Sequence, residues 1–97
     1  MAQFDLFRLD GGMLVVDLQT DLIGLDATRL VAPLREQGRH AAFPKLTPEV
    51  DFEGRAWIVR VPEMAAVTAA SLGRSVGRIE GAGDDLLRAV DILTRGF

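Results

Sequence analysis

The sequence predicts a mainly β fold, a small antiparallel barrel or sheet with one α-helix packed on it at the C-terminal end. Most of the chain consists of short apolar segments separated by turns that contain glycine or proline, a pattern typical of antiparallel strands. Only the last segment has apolar residues at helical spacing. With 97 residues, of which 48% are hydrophobic, the chain is long enough for one domain, residues 1–97, with a single core.

The first three predicted strands lie in the N-terminal third of the chain. Residues 4–8 and residues 13 to about 19 are apolar segments, joined by Asp10-Gly11-Gly12, a turn typical of β-hairpins. Residues 29–34 form the third strand. Pro33 predicts that this strand lies at an edge or contains a bulge there, because proline cannot donate a hydrogen bond to a β-ladder.

The middle of the chain predicts a loop followed by further strands. Residues 35–41 are polar and have no apolar periodicity, so we expect them to form the most mobile internal segment. Residues 43–46 and 49–52 are predicted to form further strands. Residues 55–61 alternate between two faces, which predicts a core position for Trp57. Residues 64–72 are interpreted as a short strand and then a helical turn.

The C-terminal segment, residues 84–95, is the predicted helix. An apolar stripe at spacings of four, three and four is formed by Leu86, Val90, Leu93 and Phe97. We expect the first three of these side chains to be buried. Asp84 suits the N-cap, Arg95 complements the dipole of the last turn, and Gly96 suits the left-handed residue that ends a helix.

The composition excludes several classes of function. A net charge of -3 offers no basic surface for nucleic acid. The chain has no cysteine and one histidine, His40, so thiolate metal sites are excluded and any other metal site has little support. No signal segment opens the chain, and no apolar run approaches the roughly 20 residues that span a bilayer. We therefore expect a cytoplasmic protein without a metal or cofactor, and no membrane partner.

Two aspartates near the end of the second predicted strand, Asp17 and Asp21, are four residues apart and would share a face of that strand. A carboxylate pair for acid–base chemistry is one interpretation. We favour the other, in which Asp17 is a hydrogen-bond acceptor at the strand end and Asp21 is a turn residue.

Several segments, in this order, resemble one known family. LVVDLQTDLI at residues 14–23, followed by TRLVAPL at residues 28–34, resembles the paired strands near the start of the CcdB family, the toxins of bacterial toxin–antitoxin pairs. Smaller features fit the same family, namely Gln3-Phe4, Phe43-Pro44, MAAV at residues 64–67, and Leu72-Gly73 before Val76. The resemblance covers nearly the whole chain, including the final helix, glycine and apolar residue.

This resemblance implies an SH3-like barrel with a C-terminal helix, a two-fold homodimer and a cognate antitoxin as partner. It also implies a toxin without an active site, which binds the A subunit of DNA gyrase and traps the enzyme on cleaved DNA, without a direct nucleic-acid contact of its own. Carried over by position, the target-binding residues are Leu22, Ile23, Asp91, Thr94, Arg95, Gly96 and Phe97.

Three of these positions differ from the family. Its best-known members carry asparagine, phenylalanine and tryptophan where this chain has Asp91, Thr94 and Arg95. In those members the two tryptophans of the dimer stack on an arginine of gyrase, and each such contact is worth about 0.5–2 kcal/mol. Arg95 would instead place like charges together. We therefore expect a weak poison of the usual gyrase, or a retargeted one.

Two alternatives remain open. MazF-type toxins, which cleave RNA, share this barrel, and RNA cleavage needs cations around the scissile phosphate. Such cations are supplied by Arg8, Arg29, Arg39, Arg55 and Arg60. The acidic balance of the chain and its likeness to CcdB favour the gyrase poison over this ribonuclease. The other alternative is a non-toxic homologue that binds only its antitoxin.

Overall fold

The computed structural model describes residues 2–21, 27–38, 43 and 45–96. Over these residues the chain forms a curled antiparallel sheet and one C-terminal α-helix. The strands are β1 (Asp5–Arg8), β2 (Leu14–Asp17), β3 (Thr28–Glu36), β4 (Glu49–Phe52), β5 (Arg55–Val59), β6 (Ala65–Thr68) and β7 (Gly77–Arg78). The helix is α1 (Gly83–Arg95), and short 3-10 helices lie at Val61–Glu63 and Ala69–Ser71. The predicted mainly β fold with one C-terminal helix, of the small SH3-like barrel type, is confirmed.

The longest strand, β3, organises the sheet. The strand order is β4-β5-β3-β2-β1-β7, and β6 also pairs with β3. β2 lies along one side of β3, whereas the other side pairs first with β6 and then with β5. This change of partner along one strand curls the sheet into a half-barrel. The β1–β2 hairpin closes at Gly11 and Gly12, whose φ angles are 90° and 93°, as the turn signal predicted.

Pro33 lies inside this central strand, so the prediction of an edge position is wrong. The ladder with β6 ends at Val31 and the ladder with β5 begins at Leu34, so Pro33 lies where the partner changes. Its carbonyl accepts a hydrogen bond of 2.8 Å from the backbone N–H of Arg60. Because the N–H and C=O of a strand residue point to the same side, the missing donor of Pro33 faces this change of partner and costs no ladder hydrogen bond.

The predicted loop at residues 35–41 begins too early. Arg35 and Glu36 belong to β3 and pair with Ile58 and Trp57 of β5. Their charges are compensated, since Arg35 lies 3.8 Å from Glu63 and Glu36 forms an ion pair with Arg55. The polar sequence therefore describes a paired strand end with ion pairs rather than a loop. Residues 39–42, which include His40, lie outside the described residues.

The predicted strand at residues 43–46 is also wrong in its described part. Lys45 and Leu46 lie in a turn, and Lys45 has a φ of 76°. The backbone N–H groups of Leu46 and Thr47 both donate to the carbonyl of Phe43, at 2.9 and 3.0 Å. These local hydrogen bonds replace a β-ladder. Pro44 lies outside the described residues.

The two faces of the sheet carry separate apolar clusters, because neighbouring strand residues point to opposite sides. The larger cluster lies under α1 and includes Leu6, Leu14, Val16, Ala32, Leu34, Val59, Leu86 and Ala89. The smaller cluster, on the opposite face, consists of Phe7, Val15, Val31 and Leu72. Trp57 is only partly buried at the border of the larger cluster, where its Nε1 donates to the carbonyl of Phe52 at 3.2 Å.

Helix α1 packs on the barrel through its N-terminal half. Leu86 and Ala89 are fully buried and Val90 is partly buried, but Leu93 is 40% exposed, so the prediction that Leu93 is buried is wrong. Helical spacing identifies which side chains share one face of the helix. The barrel covers only the N-terminal part of that face. The N-cap is Ala82 rather than Asp84, which lies in the first turn. None of the described helices has the length and apolar composition that a membrane span requires.

Candidate functional site

The C-terminal half of α1 carries most of the described candidate residues. Asp91, Thr94, Arg95 and Gly96 are all exposed. Gly96 adopts the predicted left-handed conformation, with a φ of 87°, and its N–H donates to the carbonyl of Ile92 at 2.9 Å. Leu22, Ile23 and Phe97 lie outside the described residues.

Helical geometry brings these side chains together as one strip. Thr94 and Arg95 follow Asp91 by three and four residues, and Leu87 precedes Asp91 by four, so each occupies a position next to Asp91 on the helix surface. The Oγ1 of Thr94 donates to the carbonyl of Val90 at 2.8 Å. Leu87 is 39% exposed and Leu93 is 40% exposed, so apolar and charged side chains alternate on this end of the helix. Such a mixed surface suits contact with another protein.

An open groove of about 1190 Å³ lies between α1 and the chain that leads into β4. Its lining includes three candidate residues, Asp91, Arg95 and Gly96, and on the opposite side Lys45 and Glu49. Small-molecule pockets are mostly apolar and enclose their ligand. This groove is open and carries charges of both signs, which favours a protein partner over a small molecule.

The second candidate region follows β2 and contains a buried ion pair. Asp17 is fully buried and Arg29 is 5% exposed. The Nε of Arg29 donates to Oδ2 of Asp17 at 2.8 Å, and its Nη2 lies 2.8 Å from the same oxygen. Oδ1 of Asp17 accepts a hydrogen bond of 3.0 Å from the backbone N–H of Gln19. Asp17 is therefore an acceptor at the strand end, as predicted, and its strongest partner is an arginine on β3.

Further hydrogen bonds extend this ion pair into a network, called the Arg29 cluster below and formed by Gln3, Asp17, Gln19, Asp21 and Arg29. Nη2 of Arg29 donates to the carbonyl of Gln19 at 3.2 Å and lies 3.7 Å from Oδ1 of Asp21. The same Oδ1 accepts the backbone N–H of Gln3 at 2.9 Å. Oε1 of Gln19 accepts the backbone N–H of Leu30 at 3.0 Å. The network joins the N-terminal residues, the end of β2 and the start of β3.

The pairing of Asp17 with Arg29 was not predicted from the sequence. Asp17 pairs with Val31 across the β2–β3 ladder, and Arg29 lies two positions from Val31 on the same face. An aspartate at the end of apolar β2 and an arginine at the start of the neighbouring β3 are the signal that indicates such a pair. That signal can be used only when the register of β2 against β3 is known, because the register decides which residues lie side by side.

The arginines considered for RNA cleavage have structural partners where they are described. Arg8 lies 3.5 Å from Glu53, Arg55 pairs with Glu36, and Arg60 lies 2.6 Å from Glu63. Arg29 is in the buried pair with Asp17, and Arg39 lies outside the described residues. Each of the four described arginines of this set is compensated by a carboxylate, which disfavours the ribonuclease alternative.

Comparison with known proteins identifies the family. The family model of the CcdB protein matches residues 3–96. No curated protein matches the chain in sequence. The matched range includes the whole described barrel, the Arg29 cluster and helix α1 to Gly96. The chain therefore belongs to the CcdB family, whose members are toxins of bacterial toxin–antitoxin systems.

Proposed function

We propose that this protein is the toxin of a type II toxin–antitoxin pair and that it binds the A subunit of DNA gyrase, trapping the enzyme on cleaved DNA. The observation that carries the proposal is the family match over residues 3–96. The proposed activity is not catalytic. The toxin makes and breaks no bond, and acts only through the complex that it forms.

The proposed binding surface consists of the exposed end of α1 and the segment after β2. On α1 it includes Asp91, Thr94 and Arg95, and in sequence it adds Gly96 and Phe97 after the helix and Leu22 and Ile23 after β2. The fully buried Leu86 and Ala89 fix the helix on the barrel, so its exposed end is presented on a rigid element. A rigid surface loses less conformational entropy on binding than a flexible one, which supports a role in tight association.

Trapping requires preference for one state of the target. A ligand shifts a conformational equilibrium only by the difference between its affinities for the two states. The toxin must therefore bind the cleaved gyrase–DNA complex more tightly than the resealed one. A shift from a rare to a dominant cleaved state requires a preference of about 10⁴-fold.

In this proposal Arg95 determines how strongly the toxin binds gyrase, or which target it binds. It lies exposed in the last turn of α1 and lines the groove beside Asp91. If the target presents an arginine here, as the family's usual gyrase does, two positive charges meet and the complex is weakened. The protein is then a weak poison of that gyrase, or is matched to a target whose surface differs at this point.

We also propose a homodimer and a cognate antitoxin as partners. The described surface includes exposed apolar side chains, Met13 at 39% and Val76 at 45%, in addition to those at the end of α1. A dimer is expected to cover part of this apolar area. Light scattering at tens of micromolar protein is expected to give the dimer mass, and a monomer mass would contradict the dimer.

The experiment that tests the function places a plasmid-supercoiling assay beside a total-RNA cleavage assay, both with the purified protein. We expect inhibition of supercoiling, accumulation of cleaved DNA with gyrase, and intact RNA. Degraded RNA with normal supercoiling would instead establish the ribonuclease alternative. Binding to the antitoxin without either effect would establish the non-toxic homologue.

A further inference from the structure

The Arg29 cluster lies at the end of β2 and the start of β3, on either side of residues 22–26 in the sequence. The regular β2–β3 ladder runs to the pair of Asp17 with Val31. Beyond it, the backbone N–H of Leu18 donates to the carbonyl of Leu30 at 2.8 Å, and the side chain of Gln19 accepts the N–H of Leu30. One backbone and one side-chain hydrogen bond thus continue the pairing of the two strands at the end where residues 18–27 connect them.

Both ends of residues 22–26 are attached to the barrel. Asp21 directly precedes them and is 57% exposed, yet its carboxylate contacts Arg29 and the backbone of Gln3. Ala27 directly follows them, and its carbonyl accepts the N–H of Ala69 at 2.8 Å. The next residue, Thr28, pairs with Thr68 of β6.

We propose that Arg29, held by Asp17, is a positioning residue for target binding, because it fixes the point at which the chain enters residues 22–26. This inference rests on the proposed function, in which Leu22 and Ile23 contact the A subunit of gyrase. Arg29 does not touch the target in this account. It acts through Gln19 and Asp21.

Stability alone does not explain a charged pair at this position. Replacing a buried ion pair by apolar residues of similar volume is often neutral or stabilising, so a buried ion pair is weak evidence of a contribution to stability. The planar guanidinium of Arg29 donates hydrogen bonds to Asp17 and to the carbonyl of Gln19, and lies within ion-pair distance of Asp21. Lysine lacks this fork, and a methionine lacks every donor. The arginine thus provides directed contacts to residues 19–21 that an apolar pair omits.

The test uses a double variant that keeps the packing and removes these contacts, Asp17→Leu with Arg29→Met. Its control is Arg8→Met with Glu53→Leu, which removes an exposed ion pair at the opposite end of β1. Both double variants leave the net charge unchanged. The measurements are the thermal midpoint, the affinity for purified gyrase A subunit, and amide hydrogen exchange of residues 19–21, of residues 27–28 and of Val59.

For the Asp17–Arg29 double variant we expect a thermal midpoint close to that of the unmodified protein. We expect affinity for the gyrase A subunit to fall and exchange at residues 19–21 and 27–28 to accelerate, each by about tenfold, because hydrogen bonds to charged groups are lost. Exchange at Val59 should not change. The control double variant should match the unmodified protein in all three measurements.

Unchanged affinity and exchange in a folded Asp17–Arg29 double variant would overturn the proposal. If that variant does not fold, Asp21→Ala tests the same claim, since it removes the exposed carboxylate and leaves the buried pair in place. If the unmodified protein fails to bind the gyrase A subunit, the proposed function is wrong. The exchange rates then still decide whether Arg29 fixes residues 19–21, so the two failures are distinct.

Discussion

The two halves of α1 follow the same helical periodicity but have different surroundings. In the N-terminal half, Leu86 and Ala89 are completely buried against the barrel. In the C-terminal half, Asp91, Thr94 and Arg95 are exposed, and so is Leu93 at 40%. The first half anchors the helix on the barrel, and the second half carries the exposed side chains that are available to a partner. Substitutions in the first half should therefore act on stability, whereas substitutions in the second half should act on binding.

The largest expected effect is the loss of stability from Leu86→Ala. Removing a fully buried leucine side chain costs about 2–5 kcal/mol, through lost burial and the cavity that remains. The matched control is Leu93→Ala on the exposed half, which should cost less than about 1 kcal/mol because much of that side chain already contacts water. Urea denaturation measures both free energies of unfolding. Equal losses would contradict the division of the helix into two halves.

The two glycines at the ends of α1 provide a finer comparison. A Cβ on Gly83 would lie 2.6 Å from Cε2 of Phe4, so Gly83→Ala must displace that ring. We expect the free energy of unfolding to fall by about 1–2 kcal/mol. Overpacking destabilises the fold by more than the higher helix propensity of alanine stabilises it.

At the other end, a Cβ on Gly96 has no neighbour within 4 Å, but the φ of 87° disfavours any side chain. Gly96→Ala should therefore cost about 1 kcal/mol through backbone conformation alone. Crystal structures of the two variants distinguish the causes. A displaced Phe4 ring is expected only for Gly83→Ala, and an unmoved ring there would contradict the packing explanation.

A substitution in the exposed half should change binding and leave stability nearly unchanged. Arg95→Trp removes a charge that opposes an arginine of the target and restores an aromatic surface for it. We expect inhibition of a standard gyrase to strengthen by about 1–2 kcal/mol, roughly 5- to 30-fold in the inhibitory concentration. The supercoiling assay measures this change. Weaker inhibition by the tryptophan variant would indicate a target matched to Arg95.

Local patterns predicted the parts of the fold that depend on local conformation. The Asp10-Gly11-Gly12 turn and the left-handed Gly96 are set by backbone preferences of the residues themselves. Features that depend on distant partners were missed. The extension of β3 to Glu36 needs the pairing with β5, and the exposure of Leu93 depends on where the barrel ends.

The candidate site, too, could be predicted from the sequence only in part. Its residues on α1 could be selected from the resemblance, because each is carried over by position in the chain. The role of Arg29 could not, because a buried ion pair is recognisable only when the register places Asp17 and Arg29 on one face.

The central claim is that the end of α1 binds the target while the barrel supports it. Deleting Gly96 and Phe97 from the purified protein tests this claim most directly, with gyrase supercoiling as the readout and dimer mass and antitoxin binding as controls. We predict that inhibition of supercoiling is abolished and that both controls are unchanged, since Leu86 and Ala89 still hold the helix on the barrel. Unchanged inhibition by the shortened protein would contradict the claim.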